Sequence, residues 1–225
     1  MPAFHPGLED LPTEFAVFPL DGALLLPRGK LPLNIFEKRY LAMIQDVLAS
    51  GRMLGMIQPD SQAALDPGDL PGAPSLYRVG CLGRLSSFSE TDDGRYLVTL
   101  NGLIRFTVVA ELDPWHGYRR VRADFSPYTG DLTLIRPQVD IGREKLLTAL
   151  HAYFARRKVE ANWEAIRGLS DDGLVITLAM ACPFEPIEKQ ALLEARSDVD
   201  RAATLLALLQ MGAASSDLPP DHSVS

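Results

Sequence analysis

The sequence predicts an α+β fold, a bent, barrel-like and mostly antiparallel β subdomain with one helix, followed by an α-helical bundle. Two observations carry this. Between Phe15 and Phe125 short apolar or alternating runs are separated by Asp-Gly and Asn-Gly turn pairs, the pattern of strands and hairpins, whereas beyond Pro127 apolar residues recur at helical spacing. A third feature joins the two patterns: the early stretch Leu31 to Tyr40 puts an X-Pro step, a capping residue and charges among aromatics within ten residues.

In order along the chain, Phe15–Leu20 and Ala23–Leu26 read as strands around the turn pair Asp21-Gly22. Asn34 followed by Glu37 has capping-box spacing, so a helix is expected to start there. Its apolar face is Tyr40, Met43, Ile44, Val47 and Leu48, and it ends near Ser50 and Gly51. Met53–Ile57 is a further strand. Pro59 to Pro74, rich in Pro, Gly and Asp, reads as an exposed loop. Tyr77 to Phe88 and Tyr96 to Leu100 form a hairpin around Thr91-Asp92-Asp93-Gly94. Asn101-Gly102 repeats the turn device before a strand from Leu103 to Glu111, and Gly117–Phe125 is the last strand. About six strands with one helix suggest a sheet that closes on itself.

The helical part begins with a helix from about Pro137 to Arg157, whose face is Leu146, Leu147, Leu150, Tyr153 and Phe154. A short turn at Trp163–Arg167 follows. Ser170 caps Asp171–Cys182, Pro183 stops it, and Pro186 opens a helix through Glu194. Ser197 or Asp198 caps a last helix with Val199, Ala202, Ala203, Leu205, Leu206 and Leu209 on its buried face and Gly212 at its end. The expected division is therefore a β-rich part over 1–128, a helical bundle over 129–212 and a disordered tail over 213–225.

Bulk properties narrow the function classes. Hydrophobic residues make up 47% and charged residues 23% of 225, values of an ordinary globular chain. A net charge of -7 argues against nucleic acid as the main partner, because that affinity comes from clustered Lys and Arg on phosphates. The densest basic cluster, Arg119, Arg120 and Arg122, reads as a solvated strand face. Met1 to Glu14 is broken by Pro2, Pro6, Glu9, Asp10 and Pro12, so no signal peptide is expected, and Leu174–Cys182 is too short for the roughly 20 residues of a membrane span. A cytoplasmic protein without a membrane partner is expected. Cys81 and Cys182 lie in apolar surroundings and read as buried reduced thiols.

Catalytic and cofactor signatures fail on spacing. Gly22 to Lys30 has six residues between its glycines where a phosphate loop needs four, and Leu31 stands where Ser or Thr would bind magnesium. No Gly-x-Ser-x-Gly elbow is present, and His5, His116, His151 and His222 are dispersed without metal-ligand spacing. Cys182 with His151 as nucleophile and base is outweighed by a packed, inert thiol. No enzyme activity, cofactor or metal is therefore expected.

Several motifs in order closely resemble the Lon protease N-terminal, substrate-binding domain family. They are Val17-Phe18-Pro19-Leu20, Leu24-Leu25-Leu26-Pro27, Leu31 to Tyr40, Tyr77-Arg78-Val79-Gly80, Asp93-Gly94-Arg95-Tyr96, Gly102-Leu103-Ile104-Arg105-Phe106, Pro183-Phe184 and Leu192-Leu193-Glu194. The resemblance extends from about Phe15 to Gln210. It implies a PUA-like pseudobarrel followed by a helical bundle, and a module that recognises unfolded proteins or peptides without ATP, possessing neither the ATPase nor the peptidase of full-length family proteases. A separate protease or chaperone would be a further partner; the oligomeric state is open. An adaptor for one folded partner and a small-ligand sensor are the competing classes.

Within this reading Pro32, Asn34, Phe36, Glu37, Arg39, Tyr40, Gly102, Arg105 and Phe106 are structural, and Glu37 is expected to reach Arg105 or another basic group on the sheet, because a carboxylate beside Phe36 and Tyr40 is costly to leave unpaired. Phe88, Trp115 and Tyr118 are the candidates for peptide contact, together with the 59–74 loop.

Overall fold

The computed structural model describes residues 6–60, 74–133 and 139–214. The expected Pro59–Pro74 loop and C-terminal tail lie mostly outside these residues, as does the expected helix start at Pro137. The chain forms two compact units: one holds Met1–Pro137 with Met180–Glu194, the other Gln138–Ala179 with Ala195–Ser225.

The first unit is built on a mixed, six-stranded sheet. Its strands are β1 (Glu14–Pro19), β2 (Lys30–Ile35), β3 (Met53–Ile57), β6 (Val79–Glu90), β7 (Tyr96–Trp115) and β8 (Tyr118–Asp124). Helix α1 (Lys38–Ala49) lies between β2 and β3 in sequence, and Pro59–Asp60 (β4) and Ser75–Leu76 (β5) make a separate two-residue ladder. The strand order is β2-β7-β6-β3-β1-β8, and β7 also pairs with β8. Only β1 and β3 run parallel. The unit's core collects Phe15, Val17, Leu82, Ile104, Phe106, Val121 and Phe125, with Phe106 fully buried and its ring edge-on to Phe15 at 5.0 Å.

Two expectations for the early chain are corrected. Ala23 to Leu26 is not a strand; the Asp21-Gly22 turn is there, but Leu24, Leu25 and Leu26 enter the core as irregular chain and the pairing strand is Lys30–Ile35. Asn34 is therefore no helix cap: it sits inside β2 opposite Leu97, and α1 starts at Lys38 with Glu37 at the cap position and no side-chain capping bond. Cross-strand pairing has overridden a local capping signal. The helix face is otherwise as expected, with Tyr40, Met43, Ile44 and Val47 buried.

Asn101-Gly102 is likewise not a turn. The strand β7 runs through it unbroken for 20 residues, with a bulge where the partners of Leu82 and Gly83 shift from Ile104 to Gly102. Glycine is required here by close approach: a Cβ on Gly102 would lie 2.0 Å from the carbonyl oxygen of Leu26. The turn at 91–94 does form, Thr91 N–H donating to the Arg95 carbonyl at 2.9 Å.

Helix α5 (Pro186–Glu194) belongs to the sheet's unit. Polar bonds fasten it there: Gln190 Nε2 donates to the Val79 carbonyl at 3.1 Å, Gln58 Nε2 donates to Gln190 Oε1 at 3.1 Å, and Lys189 Nζ donates to the Gly22 carbonyl at 2.5 Å.

The second unit contains α2 (Arg143–Arg157), α3 (Trp163–Gly168), most of α4 (Asp171–Ala181) and α6 (Asp198–Ala214). Ser170 accepts the Gly173 N–H at 3.2 Å and Ser197 the Asp200 N–H at 3.0 Å, the expected caps. On α6 the buried face is Arg201, Ala202, Leu205 and Leu209, whereas Val199 and Ala203 are exposed. Gly212 does not end α6; it packs against the Tyr153 ring, where a Cβ would lie 2.5 Å away. Cys81 and Cys182 are buried, and no helix among the described residues is long and apolar enough to cross a membrane.

Candidate functional site

Two-residue hairpin geometry builds the site. His116 and Gly117 both have positive φ, 46° and 84°, which folds β7 back into β8 so that Trp115 and Tyr118 stand opposite each other. Trp115 is left 53% exposed, while the Tyr118 ring is buried and its hydroxyl donates to Asp46 Oδ2 on α1 at 2.8 Å. His116 Nδ1 lies 2.7 Å from the same oxygen. An ionised carboxylate only accepts hydrogen bonds, so that ring nitrogen carries the proton. Partial desolvation works to raise the Asp46 carboxyl, but the bonds from Tyr118 and His116 together outweigh it and hold it below its ordinary value. Burial, then the bond to Asp46, pushes the Tyr118 hydroxyl up.

The result is a groove of about 530 Å³ between α1 and strands β1 and β8. Phe15, Ala16, Val47 and Met53 give it an apolar lining, Trp115 and Tyr118 line it too, and Glu14, Asp46 and Arg120 add charge. Glu14 Oε1 accepts from Arg122 Nη2 at 2.7 Å, which sets one wall. Such a groove offers contact for apolar side chains beside fixed polar and charged groups. Among the described residues there is no group of three or more His, Cys, Asp or Glu placed to hold a metal ion.

Of the three contact candidates, Trp115 and Tyr118 meet here. Phe88 does not: it is 41% exposed on β6, with its ring 4.9 Å from Tyr96. Asp46 and His116 were not singled out by sequence reasoning. Asp46 looks like any polar residue on an amphipathic helix, and only a His-Gly pair between alternating runs could have marked the turn.

The proposed tie between Glu37 and Arg105 is not made. Glu37 pairs with Arg39 at 2.9 Å, both about half exposed. Two residues apart they could not meet on a helix, but Glu37 precedes the helix with extended backbone (ψ 134°), which lets its side chain turn back. Arg39 also stacks 4.6 Å over the Tyr40 ring, itself 4.3 Å from Phe18. Arg105 is instead held by Asp131, with Nε 2.8 Å from Oδ2 and Nη2 2.9 Å from Oδ1. Its Nη1 donates to the Leu193 carbonyl at 3.2 Å, and the guanidinium lies 4.6 Å over Tyr128. Pro32 and Phe36 are exposed, at the middle and just beyond the end of β2.

Comparison with known proteins places this architecture. The family described as "ATP-dependent protease La (LON) substrate-binding domain" matches residues 14–211. Lon protease 2 of Myxococcus xanthus is 28% identical over 211 residues, 92% of this chain and 24% of the relative. This chain thus spans about a quarter of that protein's length. Lon protease of Azorhizobium caulinodans is 22% identical over 93% of this chain and 24% of its own. Among solved structures, the Lon N-terminal domain protein from Xanthomonas campestris superimposes with a TM-score of 0.58, 22% identity, and coverage of 87% of this chain and 98% of that one. The N-terminal domain of the Mycobacterium avium complex Lon protease gives 0.60 at 18% identity, covering 87% and 97%. These structures share the fold, and the residues matched correspond to the non-catalytic N-terminal region, not to the ATPase or the peptidase. With the match running through both the sheet and the helices, the chain belongs to the Lon substrate-binding domain family.

Proposed function

We propose that this chain is a polypeptide-recognition module that receives apolar segments of unfolded proteins or peptides in the groove between α1 and β1/β8, without ATP. The observation that carries it is Trp115, more than half exposed at a groove of about 530 Å³ lined by apolar and charged residues alike. An aromatic held there by a tight turn is a rigid contact of the kind that dominates recognition surfaces. The name of the family supports the reading, and a separate protease or chaperone is the partner class that would use it. The pairing of β7 with β8, at the far end of the strand order, supports a bent, barrel-like sheet as the frame of the groove.

The test is the affinity for a reduced, carboxymethylated protein compared with its native form, measured by fluorescence anisotropy with and without Trp115→Ala. The expected result is preference for the unfolded form, with loss of about tenfold or more in the variant, the usual cost of truncating an aromatic anchor. Tighter binding to the native form would favour an adaptor for folded partners and overturn the reading.

A further inference from the structure

Away from the groove, one stretch of the sheet is hydrogen-bonded on one side only. Among the described residues β6 pairs with β3 over Cys81–Arg84, and Leu85 N–H donates to the Arg52 carbonyl at 2.8 Å. Beyond that point a bulge falls at Ser86, Ser87–Glu90 pairs with β7, and no described residue pairs with its other flank.

Ladder alternation decides which groups face outward. Gly102 N–H donates to the Gly29 carbonyl at 2.9 Å and Arg28 N–H to the Gly102 carbonyl at 2.8 Å, so the even-numbered residues 96 to 102 bond toward β2. Leu97 and Thr99 therefore bond toward β6, where they face Ser89 and Ser87. It follows that the N–H and C=O of Phe88 and Glu90 point away from the sheet.

The opposite edge differs. In β2, Leu31, Leu33 and Ile35 bond to β7, which leaves Pro32 and Asn34 facing out, and Pro32 has no N–H to offer. Ser87–Glu90 carries neither a proline nor a lysine, two of the usual protections of an edge, and the bulge at Ser86 lies before it rather than within it. Phe88 and Glu90 share one face of the strand, both exposed, and Glu90 forms no ion pair among the described residues. Asp92 adds a second exposed negative charge at the same tip.

We propose that this edge takes up an extended polypeptide segment as an added antiparallel strand, continuing the line of β3, with an apolar side chain beside Phe88 and a lysine or arginine beside Glu90. Because the added strand passes Glu90 first, its pattern is basic-x-apolar. Backbone bonding supplies sequence-tolerant affinity and the two side-chain positions supply selectivity. The charge pairs with the lone carboxylate of Glu90. This deepens the polypeptide-recognition reading, on which it rests, by naming a mode and a segment class.

The probe is a fluorescein-labelled peptide of alternating threonine and valine in which lysine replaces the valine two positions before the central one. In one copy the amides of that lysine and of the central valine are N-methylated; in a second, the amides of the two threonines that flank the central valine are. Directly opposed residues at this edge exchange both backbone bonds, so the first methylation is expected to weaken binding about tenfold or more and the second to leave it unchanged. Glu90→Lys is expected to weaken the lysine peptide and to favour a copy with glutamate in its place. Equal affinity of both methylated copies overturns the added strand. If that binding is lost in Trp115→Ala instead, polypeptide recognition stands and the groove is its site. If neither the peptides nor a carboxymethylated protein bind, both readings fail.

Discussion

Arg105 and Asp131 carry opposite charges inside the sheet's unit, with side chains 8% and 5% exposed. Desolvation alone would lower the pKa of the arginine, but its bonds to Asp131 reverse the effect and raise it. Such a pair adds little net stability, whereas removing one partner leaves a buried charge uncompensated. Asp131→Ala is therefore expected to cost about 3–5 kcal/mol in urea unfolding. Glu37→Ala, by contrast, breaks an exposed pair and should cost less than about 1 kcal/mol. Similar costs for the two would contradict this ranking.

Lys189 presents the reverse case. Burial lowers its pKa from 10.5, with nearby Cys182 opposing the shift weakly. Between the lowered value and 10.5 the unfolded chain binds more protons than the folded one, so folding stability rises with pH across that window and is reduced below it. Lys189→Met should flatten that alkaline rise. An unchanged pH dependence would show that Lys189 titrates alike in both states.

At the scale of elements, Gly102 lies within a long strand against the Leu26 backbone. A Cβ 2.0 Å from a carbonyl oxygen has no flexible side chain to push aside, so Gly102→Ala must displace main chain. We expect it to cost several times the roughly 1–2 kcal/mol of Gly94→Ala, which has a positive φ of 78° but open space around it. Equal costs would contradict the close-approach account. Gly102 also shows where sequence reasoning stops. Asn-Gly is a turn signal when nothing else competes, and here pairing with β2 and β6 overrides it. The Asn34 capping signal yields to the same pairing. Signals that face no such competitor survive: the 91–94 turn, the Ser170 and Ser197 caps and the face of α1 were all legible. Trp115 and Tyr118 could be picked out as aromatics, but not the groove, because Asp46, His116 and Met53 come from three different elements and carry no mutual spacing.

Over the whole molecule, the division of labour follows from which groups each unit leaves open. The second unit buries Leu146, Leu150, Tyr153, Leu205 and Leu209 and leaves Val159, Val199 and Met211 exposed. The sheet's unit keeps an aromatic at a groove of mixed lining and a half-bonded strand, the two surfaces on which the proposed recognition of unfolded chains rests. On the proposed reading, a net charge of -7 would favour basic over acidic segments. Family membership alone does not decide this, since a fold hosts functions through its sites. The most direct measurement is the ratio of dissociation constants for one client protein in its unfolded and native forms. The account predicts a ratio well below one, moving toward one in Trp115→Ala; a ratio of one or more in the unaltered chain would contradict it.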